Sequence, residues 1–514
     1  MALAVSERLD ALTSWHADWT GLRAAVLGLG MTGFAVADTL AELGADVRVW
    51  ASGEDADRER ILEVLAVPFE RDALGAAPDS LVAFAPEVLV VSPGFHPDHP
   101  VLEWAAASGV PIWGDIELAW RVRDKVNAAE WMLVTGTNGK TTTTQLTAHL
   151  LAANGLRAAP CGNIGVPVLD AVRDPGGFDV LVVELSSYQL HWIRREGVGS
   201  LEPWASTCLN LADDHLDWHG TPQAYRDAKA SVYWNTKVAC VYNVDDAATR
   251  GMVEDAEVAD GARAIGFTLG APGPSDFGVV DGILCDRAFL EERRTSALEL
   301  TTREELGRHG LDAPHIVANI LAASALARSF GVPVGVVHDA LDEFRLDHHR
   351  IETVAASGGI RWIDDSKATN PHAAEASLKA FAPVVWIVGG LLKGVDVDEL
   401  VAAHVPRLRA AVVIGRSRDE LVSAFARHAP DLPVVEVDAD ETEQVMPQAV
   451  ALAAGLAREG DTVLLAPAAA SMDQFTDYAD RGRRFAQAVS EHLGDEHDDR
   501  DGEATGDARP DGDR

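Results

Sequence analysis

An α/β chain of three domains is predicted by three observations. Two glycine-rich turns each stand between an apolar strand and a helix, and a third stretch near the carboxyl end alternates strands with helices. The first turn, Gly28-Leu29-Gly30-Met31-Thr32-Gly33, has the G-x-G-x-x-G spacing of a Rossmann-like opening. The second, Gly136-Thr137-Asn138-Gly139-Lys140-Thr141-Thr142, is a P-loop. At 514 residues the chain has room for about three domains of roughly 150 residues. The expected boundaries are an N-terminal Rossmann-like domain over 1–117, a central P-loop domain over 118–346 and a C-terminal Rossmann-like domain over 347–494. An acidic tail, 495–514, has no large apolar residue and is expected to be disordered.

In the first domain, Ala24 to Leu27 reads as a strand, the following helix runs to about Leu43, and Val47 to Trp50 is a second strand. The glycine turn fits a dinucleotide, another phosphorylated nucleotide or a purely structural tight turn. The second strand ends Trp50-Ala51-Ser52 instead of in the acid that holds a nicotinamide ribose, which favours the second option. A further strand, Val88 to Val91, runs into Ser92-Pro93-Gly94, and ligands of open α/β sheets collect at that carboxyl edge.

In the second domain, Trp131 to Val134 is a buried strand and Lys140 onward a helix with Leu146, Leu150 and Leu151 on one face. Backbone N–H groups of the turn and the helix N-terminus suit a phosphate. Lys140 can reach the outer phosphates and Thr141 can ligate Mg²⁺. Val134 stands where the longer P-loop spacing has glycine. The strand Asp179 to Val183 ends in Glu184, an acid placed to meet the metal of the loop; a plain surface carboxylate is the bland alternative. The strand Thr207 to Leu211 leads to Asp213-Asp214-His215, and Lys229 follows fourteen residues later on a helix; alone, each would pass for an ordinary histidine and helix lysine. A helix from about Ala313 to Phe330 places His315 and Asn319 on one face.

In the third domain the strands Arg361–Ile363, Val384–Val388, Ala411–Ile414 and Thr462–Leu465 predict a parallel sheet. Three polar turns, Asp364 to Asn370, Gly389 to Lys393 and Pro467 to Phe475, are expected along one edge of it. A net charge of −37, only −6 of it in the tail, argues against a nucleic-acid partner. No apolar run reaches the roughly 20 residues of a membrane span, and no signal-peptide pattern opens the chain, so a cytoplasmic enzyme is expected. Cys161, Cys208, Cys240 and Cys285 are far apart and read as reduced, buried thiols.

Collected, these motifs resemble the Mur ligases, ATP-dependent amide ligases of bacterial cell-wall precursor synthesis, over about residues 20 to 492. The shared signature is TGTNGKTT at the P-loop, ELSS at Glu184 and NLADDH ending at His215. DDSKATNP at Asp364 to Pro371 and SMDQF at Ser471 to Phe475 point within the family to the D-glutamate-adding branch. The resemblance implies ATP with two Mg²⁺ ions, UDP-N-acetylmuramoyl-L-alanine and D-glutamate as small-molecule substrates, and a monomer. Lys140 and Thr141 would hold phosphates and Mg²⁺, Glu184 the first ion and His215 a second. Lys229 matches a lysine that the family converts with CO₂ to a carbamate. Asn319, Arg350 and Asp365 would hold the nucleotide; Met31, Thr32, Ser92, Pro93, Gly94 and Asn163 the UDP substrate; and Lys367, Thr369, Lys393, Ser471 and Tyr478 the D-glutamate. Departures are Trp50-Ala51-Ser52 where uracil contacts are common, Ile316 for asparagine and Tyr478 for phenylalanine.

Overall fold

The computed structural model describes residues 2–346, 348–392, 394–439 and 441–504. It contains three sheets in two compact units: residues 1–211 with 218–345, and the chain from Leu346 onward with the short segment Ala212–Asp217. Lys393 lies outside the described residues.

The first sheet is wholly parallel. Its strands β1 (Arg23–Leu27), β2 (Asp46–Ala51), β3 (Phe69–Arg71), β4 (Val88–Val91) and β5 (Ile112–Gly114) lie in the order β3-β2-β1-β4-β5. Every residue of β4, and all of β1 but Arg23, is buried, as expected of strands covered on both faces. The order reverses between β1 and β4, and the Gly28 turn and Ser92-Pro93-Gly94 both leave the sheet at that switch point.

The second sheet has nine strands: β6 (Glu130–Thr135), β7 (Ala158–Gly162), β8 (Val180–Glu184), β9 (Ala205–Cys208), β10 (Ala239–Asn243), β11 (Arg263–Phe267), β12 (Asp276–Val280), β13 (Ile283–Asp286) and β14 (Leu298–Thr302). Their order is β14-β13-β12-β11-β10-β9-β6-β8-β7, antiparallel only at β12-β13 and β13-β14. The P-loop strand β6 therefore sits between β8 and β9. Register pairs Val134 with Glu184 and Thr135 with Cys208, so both neighbours end beside the turn.

The third sheet, β15 (Glu352–Ser357), β16 (Ile360–Asp364), β17 (Val384–Gly389), β18 (Leu408–Ile414), β19 (Val434–Glu436) and β20 (Thr462–Leu465), is ordered β15-β16-β20-β17-β18-β19. Because β16, β20 and β17 are adjacent and parallel, the three polar turns leave the same edge, as predicted.

Three features depart from the sequence reading. Short strands such as β3, β7 and β19 carry little strand signal of their own; Ala-Ala-Pro-Cys-Gly becomes β7 because β8 offers it a ladder. Next, the helix Tyr478–Ala504 runs past Asp495, where the tail is expected to begin, and the rest of that tail, 505–514, lies outside the described residues. Finally, the stretch near residue 117, where a domain boundary is expected, is buried. Asp115–Arg121 is a helix buried along its whole length, within one apolar cluster that runs from Leu9 and Trp19 through Trp131 and Leu133 to Met252. The first two sheets thus share a core.

Arg121 closes that core. Its guanidinium donates to Glu117 Oε1 at 2.8 and 3.0 Å, to the carbonyls of Leu9 and Leu12 at 3.0 Å each, and lies 4.2 Å from the centre of the Trp113 ring. Burial pushes the Glu117 carboxyl upward in pKa against the pull of Arg121. The four cysteines are free and buried, with desolvation raising Cys161 and Cys240 to about 12 and Cys208 to about 11. Among the described residues no helix is long and apolar enough to cross a membrane.

Arg121→Met leaves buried Glu117 with only the longer 3.5 Å contact to the more exposed Arg194 and strips the donor from the Leu9 and Leu12 carbonyls, so it should lower unfolding stability of the first unit by about 3 kcal/mol. Urea unfolding checks this; a loss under about 1 kcal/mol would mean that the pair is not what closes the core.

Candidate active site

The P-loop turn is built on two glycines that no other residue replaces cheaply. Gly136 has φ +145° and Gly139 φ +83°, and a Cβ on Gly139 would stand 2.3 Å from Asn319 Oδ1. Asn319 is buried on the helix Pro314–Ser329, so the face on which the sequence puts Asn319 packs against the loop. Asn210, just past β9, holds the turn from the other side. Its amide accepts from the Asn138 N–H at 2.8 Å and donates to the Asn138 carbonyl at 3.1 Å, and the Asn210 carbonyl accepts from the Thr137 N–H at 3.0 Å. Sequence reasoning passed over Asn210. The available signal was a side-chain amide, which can pair with a peptide group, directly after a strand beside the P-loop strand.

Two lysines meet at one oxygen of this turn. Lys140 Nζ donates to the carbonyls of Gly136 at 2.9 Å and Thr137 at 2.8 Å, and Lys229 Nζ donates to the same Gly136 carbonyl at 2.9 Å. Lys229 is buried near the end of the helix Pro222–Ala230 and lies 4.8 Å from the centre of the Tyr225 ring. The Tyr225 hydroxyl in turn shares a 3.1 Å hydrogen bond with Thr137 Oγ1.

Glu184 ends β8 fully enclosed. Its Oε1 accepts from Asn163 Nδ2 at 3.2 Å, while Oε2 has no hydrogen-bond partner among the described residues. The buried Thr142 hydroxyl is likewise without one, and Thr141 is buried beside it. A buried carboxylate oxygen left unpaired is costly, and oxygen donors of this kind suit a hard divalent cation. Residues of this end of the sheet therefore fit Mg²⁺. His215 stands in the 212–217 segment with a left-handed φ of +54°, its Nε2 3.5 Å from Asp214 Oδ2. A non-glycine residue held there stores strain of a kind that gathers at functional sites.

At the switch point of the first sheet, a Cβ on Gly28 would meet Ser92 Oγ at 2.6 Å, and one on Gly33 would meet the Gly28 carbonyl at 2.1 Å. Ser92 is thus lodged in the glycine turn, with Met31 exposed and Thr32 half-buried on the helix that follows. Trp50 is buried against Phe84 and donates from Nε1 to Ser80 Oγ at 3.1 Å, so its ring belongs to the core.

In the second unit, Lys367 Nζ donates to the Tyr478 hydroxyl at 2.9 Å, which brings two predicted residues together. Thr369 is half-buried in the same turn and Ser471 buried in the turn after β20. Asp365 is buried and accepts from Ser377 Oγ; desolvation raises its pKa to about 6 against the pull of the hydroxyl and of Arg350. Two further groups were not legible in advance. Arg481, buried, donates to Ser366 O at 2.8 Å and to Ala469 O at 3.2 Å, tying two of the three turns together. His349 Nδ1 pairs with Asp364 Oδ2 at 2.7 Å, and the His349 N–H with Glu352 Oε2 at 2.8 Å.

Comparison with known proteins agrees over all three sheets. The family model of the Mur ligase MurD-like N-terminal domain matches residues 23–114, that of the Mur ligase middle domain 134–327, and that of the Mur ligase glutamate ligase domain 349–469. The UDP-N-acetylmuramoylalanine--D-glutamate ligase of Leifsonia xyli is 67% identical over 504 residues, covering 96% of this chain and 98% of its own. The ligase of the same name from Streptomyces avermitilis is 52% identical, over 92% and 98%. Among solved structures, UDP-N-acetylmuramate-alanine ligase MurC of Thermotoga maritima shares the fold, with TM-score 0.54 at 20% identity over 91% of this chain and 99% of that one.

Asn210→Ala removes both side-chain bonds to Asn138, each worth about 1 kcal/mol. ATP affinity should fall about tenfold or more in calorimetric titration; unchanged affinity would show that the turn keeps its shape without the amide.

Proposed function

The chain belongs to the Mur ligase family, and from that premise we propose that it is an ATP-dependent amide ligase joining D-glutamate to UDP-N-acetylmuramoyl-L-alanine in peptidoglycan precursor synthesis. The observation that carries this reading is the phosphate turn with Lys140 and Lys229 on one carbonyl and the half-paired Glu184 on the adjoining strand end. The choice of D-glutamate rests on the two relatives at 67% and 52% identity, which carry that amino acid in their names.

A carboxylate is a poor acyl electrophile, so the alanyl carboxylate first attacks the γ-phosphate of ATP and becomes an acyl phosphate, releasing ADP. The D-glutamate amine then attacks the acyl carbon through a tetrahedral intermediate, and phosphate leaves. Each residue has a task set by its place. Backbone N–H groups at the Gly139 end of the turn and the start of its helix would receive the phosphates, those of Thr137 and Asn138 being held by Asn210, and Lys140 would exchange its two carbonyl partners for phosphate oxygens, where its charge counters the charge that builds up in transfer. Thr141, Glu184 and His215 would hold two Mg²⁺ ions, which supply further charge neutralisation. Lys229, as a carbamate, would change from cation to acid-like ligand and would give up its hydrogen bond to the Gly136 carbonyl.

Asn319, Arg350 and Asp365 are assigned to the nucleotide. Met31, Thr32, Ser92, Pro93 and Gly94 are assigned to the UDP moiety and Asn163 to the sugar-peptide end. Lys367, Thr369, Lys393, Ser471 and Tyr478 are assigned to D-glutamate. Against a net charge of −37, an anionic amino acid is captured by such local donors and not by a general positive field.

Phosphate release with the alanyl sugar nucleotide, ATP and one amino acid at a time tests the reading. D-glutamate should drive turnover and L-alanine or L-lysine should not; the reverse pattern sinks the assignment. Lys229→Ala should lose most activity and recover part of it with added acetate, which supplies the missing carboxylate in trans. A fully active variant would reduce Lys229 to a structural lysine.

A further inference from the structure

Trp218 lies outside every role assigned above, yet four rings converge on it. Its indole is buried, with His96 at 5.6 Å, Tyr188 at 4.7 Å, His191 at 5.2 Å and His219 at 4.6 Å between ring centres. Those rings come from the loop after β4, the helix Ser187–His191 after β8, and the chain next to Trp218 itself. An indole N–H can only donate, and this one reaches the carbonyl of Gly94 at 3.4 Å. Gly94 closes the Ser92-Pro93-Gly94 turn, whose other end is lodged in the Gly28 turn through Ser92.

The contacts continue the other way. His219 Nε2 shares a 2.9 Å hydrogen bond with Ser187 Oγ, and its ring lies 5.2 Å from that of Tyr225. Tyr225 bonds Thr137 of the P-loop and underlies Lys229. Trp218 therefore stands in an unbroken run of side chains from the Gly94 turn of the first sheet to the phosphate turn of the second, inside one compact unit. A sugar nucleotide with its uridine diphosphate at the first turn and its carboxylate at the second must match the span between them.

We propose that Trp218 is a positioning residue for the sugar nucleotide: wedged among four rings, it fixes the Gly94 turn at the distance from the P-loop that this substrate requires. The inference rests on the ligase reading. Rigid aromatic rings suit such a spacer because they fill the gap with few rotatable bonds, and a small displacement of reacting groups is expensive in rate.

The test uses the full chain with Trp218→Leu and Trp218→Phe in the phosphate-release assay. Trp218→Leu should raise KM for the alanyl sugar nucleotide about tenfold, with KM for ATP within about twofold. Trp218→Phe, which keeps a ring and loses the N–H, should fall between Trp218→Leu and the parent. Uridine diphosphate alone, titrated calorimetrically, should bind Trp218→Leu as it binds the parent, because the span matters only to a ligand that reaches both turns. Equal rises in the KM of both substrates, or an unchanged KM for the sugar nucleotide in a folded Trp218→Leu, overturns the proposal. A melting temperature within a few degrees of the parent confirms folding; if Trp218→Leu fails that check, Trp218→Phe decides on the same KM criteria. Turnover by the parent without any sugar nucleotide would instead sink the ligase reading, which keeps the two failures apart.

Discussion

One carbonyl oxygen organises the catalytic end of this molecule. The Gly136 oxygen accepts from two ammonium groups, so the backbone there must present its carbonyl inward while the following N–H groups face outward. Only a glycine at φ +145° followed by another at +83° makes that reversal without steric cost. Asn210 then bonds the peptide groups of both residues between them, Thr137 and Asn138, and Asn319 fills the space that the second glycine leaves. The strands on either side of β6 are buried along their length, and their register sets Glu184 opposite Val134 and Cys208 opposite Thr135, so that Glu184 and Asn210 both come to the edge that carries the turn.

Much of this was legible in the sequence because the signals are local. A strand, a glycine turn, a lysine and a hydroxyl in fixed order describe their own geometry, and so does an acid at the end of an apolar run. The parallel strands of the third sheet and the common edge of its turns followed from alternation alone. What stayed hidden was set by partners far along the chain. Asn210 matters because of Asn138, Arg481 because of Ser366, and Trp218 because of Gly94; each pair is more than 70 residues apart, and no spacing rule connects them. The short strands β7 and β19 belong to the same class, since a neighbour's free edge defines them more than their own composition does.

The shared core of the first two sheets is a stronger constraint than the domain count suggests. Arg121 satisfies four acceptor contacts with one guanidinium and seals the helix that would otherwise be the joint. The sugar nucleotide, if it spans those sheets as proposed, meets a frame whose dimensions are set by packing. The turns proposed for the amino acid are tied instead among themselves, through Arg481 and the Ser366 hydroxyl.

The four cysteines carry a practical corollary. With thiols pushed to about 11 and 12 at Cys208, Cys161 and Cys240, the thiolate fraction of these three at neutral pH is on the order of one in ten thousand or less. Their side chains are also out of contact with solvent. Maleimide dyes and electrophilic warheads find almost no nucleophile at these positions. With Cys285, 8% exposed, replaced by serine, a single cysteine introduced on the surface can therefore be tagged selectively, and distance measurements by fluorescence can follow it through turnover with these three thiols left in place.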